Sequence, residues 1–234
     1  MNSKEKGNVL VIGNSGVGKS TLINAVLGEK VAKTNFGSKG VTYNITPYEN
    51  DEIDFRIIDT IGFEPSFFKE RKAIKSIRTW QKFAEEKGCS NNKINVIWFC
   101  VEGTSGKLFP KAIEDMVRAT KIWKSVPIIV VITKSYSTTD RVNNIEMVKN
   151  VFKEKKELND RLECIIPVVA SVFTVNNDVL VVPEGIMELI DETNRVMPEG
   201  LKAGEKDLFD YKLKRKRALV QRQINIFLYL TGRI

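Results

Sequence analysis

Apolar residues gather along this chain in short, nearly unbroken runs separated by longer stretches of mixed polarity. Val9-Leu10-Val11-Ile12, Asn95 to Val101, Pro127 to Ile132 and Leu162 to Val169 are rich in Val, Ile, Leu and Phe, the pattern of parallel strands covered on both faces. Ile53-Asp-Phe-Arg-Ile-Ile58 alternates toward an apolar end and predicts a further strand. Between these runs the spacing turns helical. Thr21 to Leu27 predicts a helix closed by Gly28, and residues 64–87 read as a charged segment ending in a helix. Lys107 to Lys124 predicts a helix with Ile113, Met116, Val117 and Thr120 toward the core, and Asp140 to Asp160 a polar one. Pro183 to Val196 carries proline at its start and acids in its first turn, both helix-start signals. Val172 to Val182, around Asn176-Asn177-Asp178, predicts a hairpin. Strands alternating with helices give an α/β fold class. The expected architecture is a three-layer sandwich around a mainly parallel sheet, with a ligand at the strands' C-terminal edge.

The connections after the strands carry the chemistry. Gly13-Asn14-Ser15-Gly16-Val17-Gly18-Lys19-Ser20-Thr21 fits G-x-x-x-x-G-K-[ST], between a predicted strand and a predicted helix. A polyphosphate needs several donors converging on it. The glycines let the backbone N–H groups turn inward, and the helix that follows presents its positive end. Asn14, Ser15, Gly16, Val17, Gly18, Lys19, Ser20 and Thr21 are therefore the candidate phosphate-binding residues. Lys19 would bring positive charge to the β- and γ-phosphates, and Ser20 a hydroxyl for Mg²⁺, which prefers hard oxygen ligands. Glu29 to Pro47 is a polar stretch without clear periodicity until Tyr43, the kind of long loop that is usually functional or disordered. Asp59-Thr60-Ile61-Gly62 then follows a strand. D-x-x-G is weak alone, but at this distance after a phosphate loop Asp59 can hold Mg²⁺ and the Gly62 N–H can reach the terminal phosphate.

With these two motifs in place, the sequence resembles a P-loop small GTPase domain of the translation-factor-related class, in the bacterial Era/septin-like group. Gly13 to Ser20 matches the first GTPase motif and Asp59 to Gly62 the third. The resemblance implies a switch threonine, for which Thr42 is the choice and Thr46 the competitor. It assigns Mg²⁺ to Ser20, Thr42 and Asp59, and transition-state stabilisation to Lys19, Thr42 and Gly62. Thr133-Lys134 matches the start of the fourth motif, [NT]-K-x-D, and Ala170-Ser171 stands at the fifth. These two segments would flank the guanine of GTP or GDP. Tyr136 departs from the pattern, because it occupies the place of the aspartate that accepts from guanine N1 and N2. Asp140 could substitute only from an irregular loop. Phe63, after the D-x-x-G, cannot orient an attacking water. The resemblance then implies slow GTP hydrolysis, accelerated by a homodimer or an activating protein partner. Relatives that use potassium carry asparagine where this chain has Gly16.

Composition narrows the remaining choices. The chain has 234 residues, 42% hydrophobic and 28% charged, which reads as a soluble globular protein. No apolar run approaches the length of a membrane span, so the expected location is cytoplasmic, at most peripheral to a membrane. The absence of histidine removes His-based catalysis, and Cys89, Cys100 and Cys164 lack metal-ligand spacing. The net charge is +8, and residues 201–234 hold nine Lys/Arg against three Asp/Glu. The expected division is a nucleotide-binding domain over 1–199 and a basic helical extension over 200–234. Lys212, Lys214, Arg215, Lys216 and Arg217 followed by the apolar stretch Ile224 to Leu230 read either as a helix whose apolar end docks on the domain or as a contact for anionic membrane, RNA or a partner. An ATP-using P-loop enzyme and a non-hydrolysing scaffold remain as alternatives to the GTPase reading.

Overall fold

The apolar runs become a seven-stranded sheet in a computed structural model that describes residues 5–28, 32–33, 45–60, 75, 78, 79, 82, 86, 93–104, 110, 113–114, 120, 123–176 and 179–230. The strands are β1 (Gly7–Ile12), β2 (Ala32–Lys33), β3 (Ile45–Glu49), β4 (Phe55–Thr60), β5 (Val96–Glu102), β6 (Ile128–Thr133) and β7 (Leu162–Pro167), in the order β2-β3-β4-β1-β5-β6-β7. Pairing is parallel from β4 through β1, β5 and β6 to β7, and antiparallel where β3 joins β4 and β2 joins β3. The sheet is thus mixed and mostly parallel. A separate hairpin, β8 (Phe173–Asn176) with β9 (Val179–Val181), lies in the segment expected to form one.

Continuous apolar runs bury both faces because helices cover both. Val9, Val11, Ile57, Trp98 and Val131 point to one layer, packing on α1 (Lys19–Leu27) and α4 (Ile186–Val196). Leu10, Ile12, Ile97, Phe99 and Val130 point to the other, under Ile113, Trp123 and the Val148 and Phe152 side of α2 (Thr138–Lys153). Of the four core positions expected along 107–124, Ile113 and Thr120 are fully buried, while Met116 and Val117 lie outside the described residues. Trp98 anchors the first layer. Its indole Nε1 donates to Thr193 Oγ1 at 2.9 Å, and its ring meets Phe55 edge-on at a centroid distance of 6.1 Å.

Three expectations are corrected. The polar helix predicted over 140–160 is two helices, α2 and the short α3 (Lys156–Asn159), because Lys155 takes φ −125° and ψ 87°, outside the helical range. The helix expected to start at Pro183 begins at Ile186, capped by Gly185 in a left-handed conformation. Glu184 is drawn into an antiparallel bridge with Val169, which holds that stretch extended.

The third correction concerns the tail, which forms α5 (Glu205–Leu230). Its middle docks on the domain, and its apolar end does not. Tyr211 is buried, whereas Ile224, Phe227, Tyr229 and Leu230 are exposed. The reason lies at the C-terminus of α1, where the last four carbonyls of any helix lack partners within it. Here each has one: Asn24 O from the Gly28 N–H, Ala25 O from Arg215, Val26 O from the Tyr211 hydroxyl and Leu27 O from Asn50 Nδ2. Lys212 adds an ion pair to Asp191 at 2.6 Å, and Lys214 one to Glu52. Among the described residues, no helix is long and apolar enough to cross a membrane.

Candidate nucleotide-binding site

Parallel pairing places the C-terminal ends of β4, β1, β5, β6 and β7 along one edge, and the motif residues sit there. β1 sits between β4 and β5, and the chain leaves β1 toward β2 on one side of the sheet but leaves its neighbour β5 toward β6 on the other, the topological position where α/β sheets bind ligands. The loop after β1 contains Asn14, Ser15, Gly16, Val17 and Gly18, while Lys19, Ser20 and Thr21 form the first turn of α1. Gly13, Gly16 and Gly18 all take positive φ. Lys19 Nζ reaches back across the loop and donates to Gly13 O and Asn14 O, each at 2.9 Å. No side chain caps α1.

Asp59 is the penultimate residue of β4 and 8% exposed. It aligns with Val11 in the β1–β4 ladder, which brings it beside the start of the phosphate loop. Thr46, the competing switch position, pairs with Asp59 from the other side as part of β3. Thr42, Gly62 and Phe63 lie outside the described residues.

Thr133 ends β6 and ties three segments together. Its buried hydroxyl donates to Val17 O in the phosphate loop and lies 3.0 Å from Val101 O on β5. Its own carbonyl accepts from the Gly103 N–H at 2.7 Å. Lys134 follows with φ 53°, the one positive φ at a non-glycine position among the described residues. That turn directs its Nζ to Glu102 Oε1 at 2.9 Å, and Thr104 Oγ1 donates to the same oxygen at 2.7 Å. The two donors, Lys134 foremost, hold the Glu102 carboxyl below the usual carboxylate range. The Ser135 N–H donates to Val168 O and so joins the loop to the end of β7, next to Ala170 and Ser171. Thus the phosphate loop, Lys134 and the segment of Ala170 are held to one another by hydrogen bonds. Asp140 is excluded as a substitute acceptor on a flexible loop. It lies exposed in the first turn of α2, its N–H donating to the N-cap Ser137 Oγ.

Two residues of this edge escaped the sequence reading. Glu102 ends a strand in register with Thr133, a signal that was available in the paired strand ends. Phe173 opens the hairpin, and its ring stacks on Tyr136 with centroids 4.0 Å apart and planes 13° from parallel. Nothing in the local sequence connects those two. Cys100 lies beneath Gly13, and burial pushes its thiol up to about 12, so it offers no thiolate at neutral pH.

A glycine-rich loop between the central parallel strand and a helix, with an acid at the end of the adjacent strand and a T-K pair two strands away, defines a P-loop GTPase domain. The chain belongs to the family described as 50S ribosome-binding GTPase, whose pattern matches residues 8–134. It is 25% identical over 197 residues to the probable GTP-binding protein EngB of Thermotoga petrophila, covering 83% of this chain and 88% of that one. It is 29% identical over 138 residues to the GTPase Era of Vibrio parahaemolyticus, covering 58% of this chain and 39% of Era. Among solved structures, Era of Aquifex aeolicus bound to GDP and AlF4⁻ matches with a TM-score of 0.53 and 23% identity over 87% of this chain and 60% of that one. A probable EngB structure matches at 0.50 and 20% identity, over 81% of this chain and 98% of that one. The chain is a GTP-binding GTPase of this switch class.

Proposed function

We propose that the chain is a slow GTP switch whose turnover is raised by self-association or by a protein partner. The observation that carries the reading is the phosphate loop. Lys19 already bridges Gly13 O and Asn14 O, and Thr133 fixes Val17. A loop shaped before its ligand arrives binds with less ordering cost. In this reading residues Asn14 to Thr21 hold the phosphates, and Thr133, Lys134, Ala170 and Ser171 surround the base. Lys19, Thr42 and Gly62 stabilise charge on the transferring phosphoryl group.

Mg²⁺ suits the donor set. Ser20 offers a hydroxyl at the start of α1 and Asp59 a nearly buried carboxylate beside the same loop, both hard oxygens. Among the described residues there is no cluster of acids, cysteines and histidines that would compete for a softer metal. Ser20, Asp59 and Thr42 would hold the ion, which neutralises phosphate charge when bound.

GTP turnover measured against protein concentration, in sodium and in potassium salts, tests the mechanism. The expected rate is slow, rises with concentration or with an added partner, and is equal in the two salts. A fast rate independent of concentration would overturn it. ATP displacing bound GDP at equal concentration would instead favour an ATP-using enzyme.

The division into a nucleotide-binding unit over 1–199 and a basic arm over 200–234 belongs to the same proposal, with a cytoplasmic chain that meets an anionic surface through α5. Phe209, Leu213, Val220, Ile224 and Phe227 are exposed and fall on one side of the helix at 100° per residue, away from Tyr211. Lys216 and Arg217 lie among them, exposed. Such a stripe suits the interface of an anionic bilayer. Sedimentation with phosphatidylserine vesicles should retain the chain at low salt and release it as salt rises. The double variant Lys216→Glu, Arg217→Glu should stay in the supernatant. Retention by RNA with none on vesicles would assign the tail to nucleic acid.

A further inference from the structure

The place where the family pattern puts a base-reading carboxylate is taken here by an aromatic pair. Tyr136 extends from the turn after Lys134, and Phe173 from the first residue of β8, just beyond Ala170-Ser171. The two segments assigned to the base are therefore bridged by a stack of rings 4.0 Å apart and 13° from parallel. Phe173 is 40% exposed, so the pair stands at the protein surface and is not part of either core layer.

Two carboxylates near this edge already have partners: Glu102 is held by Lys134 and Thr104, and Glu184 by Arg141, while Asp140 lies exposed in the first turn of α2. A carboxylate can accept two hydrogen bonds side by side, which is what guanine N1–H and its 2-amino group require. A phenol has one oxygen and its own proton to place. Tyr136 is part-buried, and that burial raises its hydroxyl above the usual tyrosine range, so it stays protonated.

We propose that this chain holds the purine of its nucleotide against the Tyr136–Phe173 aromatic pair and leaves the 2-amino group of guanine unread. The inference rests on the nucleotide reading above and specifies its base recognition. Ring stacking accepts any purine face, so selectivity falls to the carbonyl at position 6, which a backbone N–H near Ala170 can meet. The ligand class is then 6-oxopurine nucleotides, guanosine and inosine alike, with adenosine weaker.

Fluorescent or calorimetric titration of the full chain with GDP, IDP and ADP in Mg²⁺ tests this. GDP and IDP should bind within about threefold of each other, since no acceptor pair is lost when the 2-amino group is absent. Tyr136→Phe, which keeps the stack, should bind both like the native chain. Tyr136→Ala should weaken both together by roughly tenfold or more, the range of a lost base–aromatic stack. Tyr136→Asp should open a gap of about tenfold or more in favour of GDP by supplying the missing acceptor. Native binding that favours GDP over IDP by more than about tenfold would overturn the inference. If Glu102→Gln then erased that preference, Glu102 would be the reader. Absence of binding by all three nucleotides would sink the nucleotide reading itself, a result distinct from either selectivity outcome.

Discussion

Lys19→Ala should lower affinity for GDP and GTP by about a hundredfold, the range of a lost charge-assisted hydrogen bond in a site that excludes water. The free protein should lose much less. In it, among the described residues, Lys19 Nζ bonds only to Gly13 O and Asn14 O, neutral acceptors on a half-exposed loop. Removing these donors costs on the order of 1 kcal/mol. The two effects separate cleanly by experiment. Calorimetric titration reports the affinity, and thermal unfolding without nucleotide reports the small loss of stability. Retained affinity with a large drop in melting temperature would mean that Lys19 is a strut for the loop and not a phosphate ligand.

Gly13→Ala should damage the fold more than any other single methyl added to this loop. Gly13 has φ +151°, and an added Cβ would lie 2.4 Å from Cys100 O and 3.1 Å from Cys100 Cβ. Backbone stands on both sides of that clash, with β1 and β5 fixed by their ladder and by helices on each face. Neither strand can yield without opening the sheet. The expected cost is on the order of 3 kcal/mol, combining strained φ with overpacking. Gly16→Ala provides the control. Its φ is +80°, yet no described residue lies within 4 Å of the new Cβ. Only the left-handed backbone penalty of about 1 to 2 kcal/mol applies there. Urea unfolding should show a larger fall in midpoint for Gly13→Ala than for Gly16→Ala at unchanged slope. Equal falls would refute the clash argument.

Much of the sheet could be read from the sequence because a strand buried on both faces must be apolar at every position. β1 from Val9 on, β5 up to Val101 and β6 up to Ile132 satisfy that condition, and their ends deliver motif residues; β7, at the sheet edge, exposes Glu163 and is legible only from its apolar second half. The phosphate loop was legible because its constraint is local: glycines where the backbone folds back, then a lysine and a hydroxyl. Features set by distant partners were not. Proline and acids at 183–184 look like a helix start, but an antiparallel bridge to Val169 claims that stretch and leaves Gly185 as the cap. The tail's apolar end looks like its docking end. The docking is decided instead by two carbonyls at the end of α1, Ala25 O and Val26 O, which Arg215 and Tyr211 satisfy, a demand made by another element and invisible in the tail itself. Tyr136 stands out in the sequence for the residue it replaces, while its stacking partner comes from the hairpin beyond β7.

The same carbonyls make α1 a short rod gripped at both ends. Its first turn carries Lys19, Ser20 and Thr21, and its last turn is held by Arg215 and Tyr211 from α5. Nine residues of helix span about 14 Å, so the two grips are near neighbours. Thermodynamic reciprocity then links them without any moving lid. Whatever pulls α5 off α1 and thereby changes phosphate affinity must itself be felt, by the same factor, when phosphate binds. The arm and the loop are two handles on one helix.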